Sequence, residues 1–283
     1  MHLIIDGDVL AYQSCKPRWE QKVKKTGTHF VSLDDHGKKI PLEFTKRENQ
    51  IYLEQSWDNF QEDLEKLKET LFTSDTLMAV KSGASFRDEM YPIILNEDGT
   101  KALSGYKANR WKPEGARNEF VPSLRELAIF DNLAVPAIGV EADDLLRIWA
   151  NQAKAAGEDY IICSIDKDLH CIPGKHWLMA KKKLITVSPE EAMRHYYEQL
   201  LKGDPTDNIP GVPRLGDVKA ARLVEGITSE EELQKCVVEQ YLMAYGEDKW
   251  YEYLLANGKM IHLQRFPNDF FNFNEWPIVQ ELL

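Results

Sequence analysis

The stretch GVEADDLLRIWANQAKAAGEDYIICSIDKDLH, Gly139 to His170, decides the fold. Its first half reads as a helix that opens on acids, where the positive end of the helix dipole favours them, and Gly157 supplies the stop. An apolar run over Tyr160 to Ile165 follows at once and reads as a strand, closed by Asp166 and Asp168. Upstream lies another short apolar segment, Ala134 to Ile138. Strand, helix, strand in this rhythm predicts a mainly parallel sheet. In extended chain the side chains of Asp166 and Asp168 point the same way, so each raises the cost of ionising the other. A positive partner is expected there.

Working outward, Leu3 to Ile5 reads as a short strand closed by Asp6-Gly7-Asp8, and Thr76 to Val80 as another that leads into Lys81-Ser82-Gly83. From Ser56, read as an N-cap, Trp57, Phe60, Leu64, Leu67 and Leu71 recur at helical spacing. A β-hairpin is expected around Asp35-His36-Gly37, an irregular stretch up to about residue 120, and a helix over Val121 to Leu133. Beyond about residue 185 the pattern is helical to the end. The expected organisation is an α/β domain over 1–185, a central mostly parallel sheet flanked by helices, followed by a helical subdomain over 186–283.

At 283 residues and 43% hydrophobic content the chain has enough apolar matter for a real core. It has no run of eighteen apolar residues, and MHLIIDGD lacks the basic and apolar regions of a signal peptide, so the expected setting is the cytoplasm, without a membrane. Cys15, Cys163, Cys171 and Cys236 show neither zinc nor redox spacing and receive no role. The net charge of -11 argues against a polyanionic partner, yet it hides a local reversal. Lys101, Lys107, Arg110, Lys112 and Arg117 face one acid, Glu114, with Tyr106 and Trp111 interleaved, a composition suited to a phosphate backbone and unstacked bases.

The acids form a constellation. Asp6 and Asp8 follow the first strand, Glu141, Asp143 and Asp144 open a helix, Asp166 and Asp168 follow a later strand, and Asp204 and Asp207 lie in GDPTDNIPG. Singly, each group has an ordinary explanation as a turn or a cap. In an open parallel sheet, however, ligands bind beyond the carboxyl ends of the strands, which gathers at least Asp6 and Asp166 along one edge. Hard cations with oxygen ligands relieve such repulsion. The absence of His and Cys from the group points to magnesium rather than zinc, and sharing among several acids suggests two ions, as phosphodiester cleavage uses.

The ordered set LIIDGD (3–8), FRDE (86–89), GYKANR (105–110), GVEADD (139–144), SIDKDL (164–169) and GDPTDNIPGVPRLGDVKAARLV (203–224) resembles the 5′-nuclease family. That family contains flap endonucleases, the 5′-nuclease domains of bacterial polymerases and phage 5′ to 3′ exonucleases; GKMIHLQRF (258–266) adds likeness to the phage branch. The resemblance implies a PIN-like α/β fold with a helix-three-turn-helix element. It assigns one magnesium to Asp6, Glu141 and Asp143, with Asp144 shared, and a second to Asp166, Asp168, Asp204 and Asp207; manganese can substitute. It brings Lys107 and Arg110 to the scissile phosphate from a gateway over about 84–120, to which Arg87 also belongs. It gives Gly211, Gly216 and Lys219 to duplex binding, with potassium at the helix-three-turn-helix, and Lys181-Lys182-Lys183 is either an extension of that track or an exposed hairpin tip.

The implied activity is magnesium-dependent 5′ to 3′ exonuclease or 5′ flap endonuclease action by a monomer on double-stranded DNA with 5′ ends or flaps, with RNA:DNA hybrids an open further substrate. The alternatives are a catalytically weakened protein that binds branched DNA and a PIN-like endoribonuclease. One motif departs from the family: Lys81 and Ser82 stand where a further acid is expected, and Asp8 has no counterpart.

Overall fold

A computed structural model describes residues 1–15, 23–26, 29–33, 39–41, 46–97, 102–110 and 120–282, with side chains described outside 16–51. In chain order the elements are β1 (His2–Asp6), α1 (Gly7–Ser14), β2 (Val23–Thr26), β3 (His29–Leu33), β4 (Lys39–Pro41), α2 (Lys46–Leu71), β5 (Thr76–Ser85), α3 (Phe86–Met90), β6 (Ile94–Leu95), β7 (Ala102–Ser104) and α4 (Phe120–Phe130). They continue with β8 (Val135–Gly139), α5 (Ala142–Ala155), β9 (Tyr160–Ser164), β10 (Gly174–Leu178), β11 (Lys183–Val187), α6 (Pro189–Lys202), α7 (Asp217–Val224), α8 (Glu230–Tyr245), α9 (Trp250–Ile261) and α10 (Pro277–Leu282).

Six strands form the main sheet in the order β11-β10-β9-β1-β5-β8. All neighbours are parallel except β10 and β11. β1 is central, and Leu3, Ile4 and Ile5 are all fully buried, as a strand covered on both faces requires. Alternation sends Leu3 and Ile5 to the face packed by Leu10 of α1, Phe60 and Leu64 of α2 and Leu124 of α4. Ile4 joins Ala142, Leu146 and Ala150 of α5 on the other face. The chain leaves β1 toward β5 and β8 on one side and returns through α5 to β9 on the other, so the carboxyl end of β1 is a topological switch point.

The strand-helix-strand reading of Gly139–His170 holds, with Gly157 at φ +71 closing α5. Elsewhere the boundaries differ. α2 begins ten residues before Ser56, which is buried in mid-helix, one turn after the buried Tyr52, rather than capping it. β5 runs on to Ser85, whose side chain caps α3, and the stretch expected to be irregular also contains the β6–β7 ribbon. β3 and β4 pair antiparallel as the hairpin reading requires, while its tip around Asp35-His36-Gly37 lies outside the described residues. Lys181 and Lys182 form the turn between β10 and β11, the exposed hairpin tip of the two readings. Among the described residues no helix is long and apolar enough to cross a membrane.

From α6 onward the elements are helices around their own core, centred on Leu200, Leu233, Val237, Tyr241, Leu254 and Phe273. The chain after α9 then turns back to the sheet, where Leu263 packs into the α5-side cluster.

Gly7 decides how closely α1 approaches the sheet. A Cβ there would lie 2.6 Å from Val80 Cγ1 and 2.7 Å from the Ala79 carbonyl oxygen. Gly7→Ala should therefore push α1 off β5 and cost roughly 1–3 kcal/mol of stability, the usual penalty of overpacking, visible as a lower urea midpoint at unchanged m-value.

Candidate metal and phosphate site

A cleft of about 1010 Å³ opens at the carboxyl edge of the sheet, lined by Asp6, Glu141, Asp143, Asp166, Asp168 and Asp204, with Lys107 and Arg110 facing them. Asp207 joins them in an adjoining recess. Each acid is delivered by the end of an element. Asp6 ends β1 and caps α1, accepting from the Val9 amide at 3.2 Å. Glu141 precedes α5 and Asp143 sits in its first turn. Asp166 and Asp168 follow β9.

The GDPTDNIPG loop is pulled into a tight ring by the Asp204–Ile209 bridge and by Gly203 against Gly211, where a Cβ on Gly211 would meet the Gly203 nitrogen at 2.3 Å. The ring is stitched to the GYKANR segment: the Lys107 amide donates to the Asp207 carbonyl at 2.9 Å, Asn208 Nδ2 to the Gly105 carbonyl at 2.9 Å, and Asn109 Nδ2 to the Pro205 carbonyl at 2.7 Å.

Between Asp166 and Asp168 a backbone amide supplies part of the positive charge expected there. β9 ends at Ser164 and a helical turn starts at Asp168, so the pair is not in extended chain. The Asp168 amide donates to Asp166 Oδ1 at 2.9 Å. Ser164, a residue the sequence reading passed over, donates its hydroxyl to Asp6 Oδ2 at 2.7 Å and accepts from the Asp166 amide at 3.0 Å. Its spacing two before Asp166 was the available signal. Gln199 of α6, also missed, donates to Asp168 Oδ1 at 2.7 Å, and nothing local marks it.

The cations of the GYKANR segment neutralise part of this charge. Lys107 Nζ pairs with Glu141 and lies 3.9 Å from Asp207 Oδ2, while Arg110 Nη2 is 2.6 Å from Asp207 Oδ1. Burial still dominates the titration of the acids. It pushes Asp6 up to about 6, with Asp8 and Asp166 adding to the shift, and Asp168 up to about 7, helped by Asp166, Asp204 and Asp207. Asp207 rises to about 6 through burial despite Lys107 and Arg110. Asp143 is driven well above the ordinary range by burial and then by Asp6 and Asp166, and it has no hydrogen-bond partner among the described residues. Among those residues no group of three His, Cys, Asp or Glu side chains stands ready as a cation cage. The donor set is nonetheless all oxygen, which fits a hard divalent ion.

Several site residues stand elsewhere than expected. Asp144 is fully buried and bound by Arg87 through two hydrogen bonds of 2.7 and 2.9 Å, and it accepts from the amides of Glu141 and Gln264, so its oxygens are committed to structure and not to a shared ion. Arg87 is fully buried as well, also donating to the carbonyls of Met260 and His262, and no phosphate can reach it. Tyr106 is buried, its hydroxyl donating to Glu141 Oε2 at 2.9 Å, so it orients an acid and does not present a face to a base. The Gly211 amide points inward to Asn257 Oδ1 at 3.1 Å.

Gly216 and Lys219 are exposed: Gly216 caps α7 without a side chain to satisfy its first amides, and Lys219 lies on its first turn. Trp111 lies outside the described residues. Asp8 is tied to Arg125 Nε at 2.7 Å and to the Lys81 amide at 3.1 Å. Lys81, rather than Ser82, lines the cleft.

No protein-family model matches the chain. DNA polymerase I of Rhizobium leguminosarum is 32% identical over 199 residues, 65% of this chain and 17% of the polymerase. The thermostable DNA polymerase I of Thermus thermophilus is 30% identical over 183 residues, 61% of this chain and 20% of the polymerase. This chain thus spans a fifth or less of the length of either. Among solved structures, the bacteriophage T5 D15 flap endonuclease, in a complex with DNA and metal ions, matches with a TM-score of 0.54 at 14% identity, covering 92% of this chain and 98% of that one. An α/β fold with an acid-rich sheet edge is the class so defined. The chain shares that fold with the T5 flap endonuclease, and its sequence matches fall on a fifth or less of the polymerases.

A raised carboxylate pKa is a stability statement. An Asp168 that titrates near 7 when folded and near 3.8 when unfolded favours the folded state below the lower value and loses that contribution as pH rises through the upper one. Asp168→Asn should therefore raise the melting temperature of the metal-free protein by about a few degrees at pH 8 and by little at pH 4, as scanning calorimetry across that range would read.

Proposed function

We propose that this chain is a divalent-metal-dependent 5′-nuclease that hydrolyses DNA phosphodiesters near free 5′ ends, as an exonuclease or flap endonuclease. The observation that carries the reading is the convergence of acids from four separate segments on one cleft, faced by Lys107 and Arg110. Asp6, Glu141 and Asp143 would hold one magnesium and Asp166, Asp168, Asp204 and Asp207 a second. When bound, the ions supply Lewis-acid stabilisation of the attacking and leaving oxygens. Ser164, Gln199 and Tyr106 hold Asp6, Asp168 and Glu141 in place.

Lys107 and Arg110, paired to acids here, are the cations free to exchange those partners for phosphate oxygens once positive charge replaces them; Lys107 acts as a point charge and Arg110 as a two-pronged donor. The open amides at the start of α7, with Gly216 and Lys219, would take duplex phosphates, and potassium would sit at the same element. On this reading the sheet-bearing residues 1–185 do the chemistry and the helices over 186–283 hold the duplex. The protein works as a cytoplasmic monomer and accepts RNA:DNA hybrids.

Asp166→Asn combined with Asp168→Asn should abolish cleavage of a 5′-labelled duplex, flap or hybrid in magnesium while DNA binding stays measurable, or tightens as repulsion falls. Unchanged cleavage in the double variant would remove the two-ion reading.

Lys81 favours a second reading, a weakened nuclease that mainly binds branched DNA, because it brings a positive charge into the cleft where the resemblance implies an acid. The two readings separate on Lys81→Asp. If the lysine weakens the first ion site, the substitution should lower the magnesium concentration for half-maximal cleavage severalfold. Equal concentrations with full activity in both proteins would make the departure chemically silent.

A further inference from the structure

We propose that Gln199 is a positioning residue for the second acid group, holding Asp168 toward Asp204 and Asp207; this rests on the reading of those acids as divalent-cation ligands. α6 turns a stripe of His195, Gln199 and Lys202 toward the acids, at the i, i+4 and i+7 spacing of one helix face. Gln199 is 5% exposed and lines the recess that also contains Asp166, Asp168, Asp204 and Asp207. Its Nε2 donates to Asp168 Oδ1 at 2.7 Å. One turn later α6 ends at Lys202, and the chain enters the ring that carries Asp204 and Asp207. A single rigid helix thus supplies both the donor that orients Asp168 and the departure point of the other two acids.

The choice of an amide has a chemical consequence. A lysine or arginine at this position would cancel the charge that a cation needs, and an aliphatic side chain would leave Asp168 free to rotate. The carboxamide is a neutral donor: it fixes Oδ1 and leaves the carboxylate charge and Oδ2 for a ligand. Glu141 and Asp207 are held by cations that must first be displaced, whereas Asp168 is held by a group that can stay in place.

The test is calorimetric titration of magnesium, and separately manganese, into the full chain without DNA, for wild type, Gln199→Met and Gln199→Leu. Methionine keeps the length and removes the donor, and leucine suits the buried position, so folding is retained and is checked by melting curves. The expected result is a roughly tenfold or greater loss of affinity at one of the two sites, the other unchanged, which is the usual effect of removing a partner that orients a ligand. Melting temperature without divalent ions should hold or fall slightly as Asp168 loses its donor, KM for a duplex should stay, and kcat at low magnesium should fall and recover at high magnesium. Equal affinities in wild type and both variants overturn the inference. A wild type that takes up no divalent ion overturns instead the reading of the acids beneath it.

Discussion

The buried ion pair between Arg87 and Asp144 is the constraint on which the rest of the site depends. Neither group sees solvent, and the geometry is bidentate. An unpaired charge in that interior would cost several kcal/mol, so neither residue can be placed without the other. Arg87 also donates to two carbonyls at the end of α9, and Asp144 accepts the amides of Glu141 and Gln264. The pair therefore joins α3, the start of α5 and the segment after α9. With that joint made, the start of α5 has one direction, and Glu141 and Asp143 point into the cleft.

Around this joint the protein carries an electrostatic strain. Burial holds Asp6, Asp143, Asp168 and Asp207 above ordinary carboxylate pKa values, and neighbouring acids, Asp166 and Asp204 among them, raise them further. Such a cluster weakens the metal-free fold at neutral pH and concentrates negative potential where a divalent cation gains most from it. Lys107 and Arg110 temper the cost from the other side of the cleft. Their segment is bound by backbone to the Asp204–Asp207 ring, so the cations and the last acids are set by one assembly.

The likeness to known proteins and the physical reading support different parts of this picture. Likeness to the T5 flap endonuclease at 14% identity speaks to the chain path over 92% of the protein. The polymerase matches reach higher identity over fewer residues. Neither speaks to Gln199, Ser164 or Arg125, whose roles follow only from the contacts they make here.

The sequence by itself determined the strand-helix-strand rhythm around Asp166, the position of Asp6 at the end of a buried strand, and the gathering of acids from distant segments at one sheet edge. These are legible because periodicity and strand ends record how a residue sits relative to its own element. Only the tertiary structure decided the partners of Arg87, Tyr106 and Asp144, read as phosphate, base and metal contacts and found bound to protein. It also turned Gly211 inward, made Lys81 and not Ser82 the cleft residue, and brought Gln199 to Asp168. Arg87 and Asp144 are 57 residues apart, and Arg87 and the Met260 carbonyl 173. A charged side chain looks the same in sequence whether it faces a phosphate or a buried counter-charge, and the difference lies in which distant segment folding lays against it.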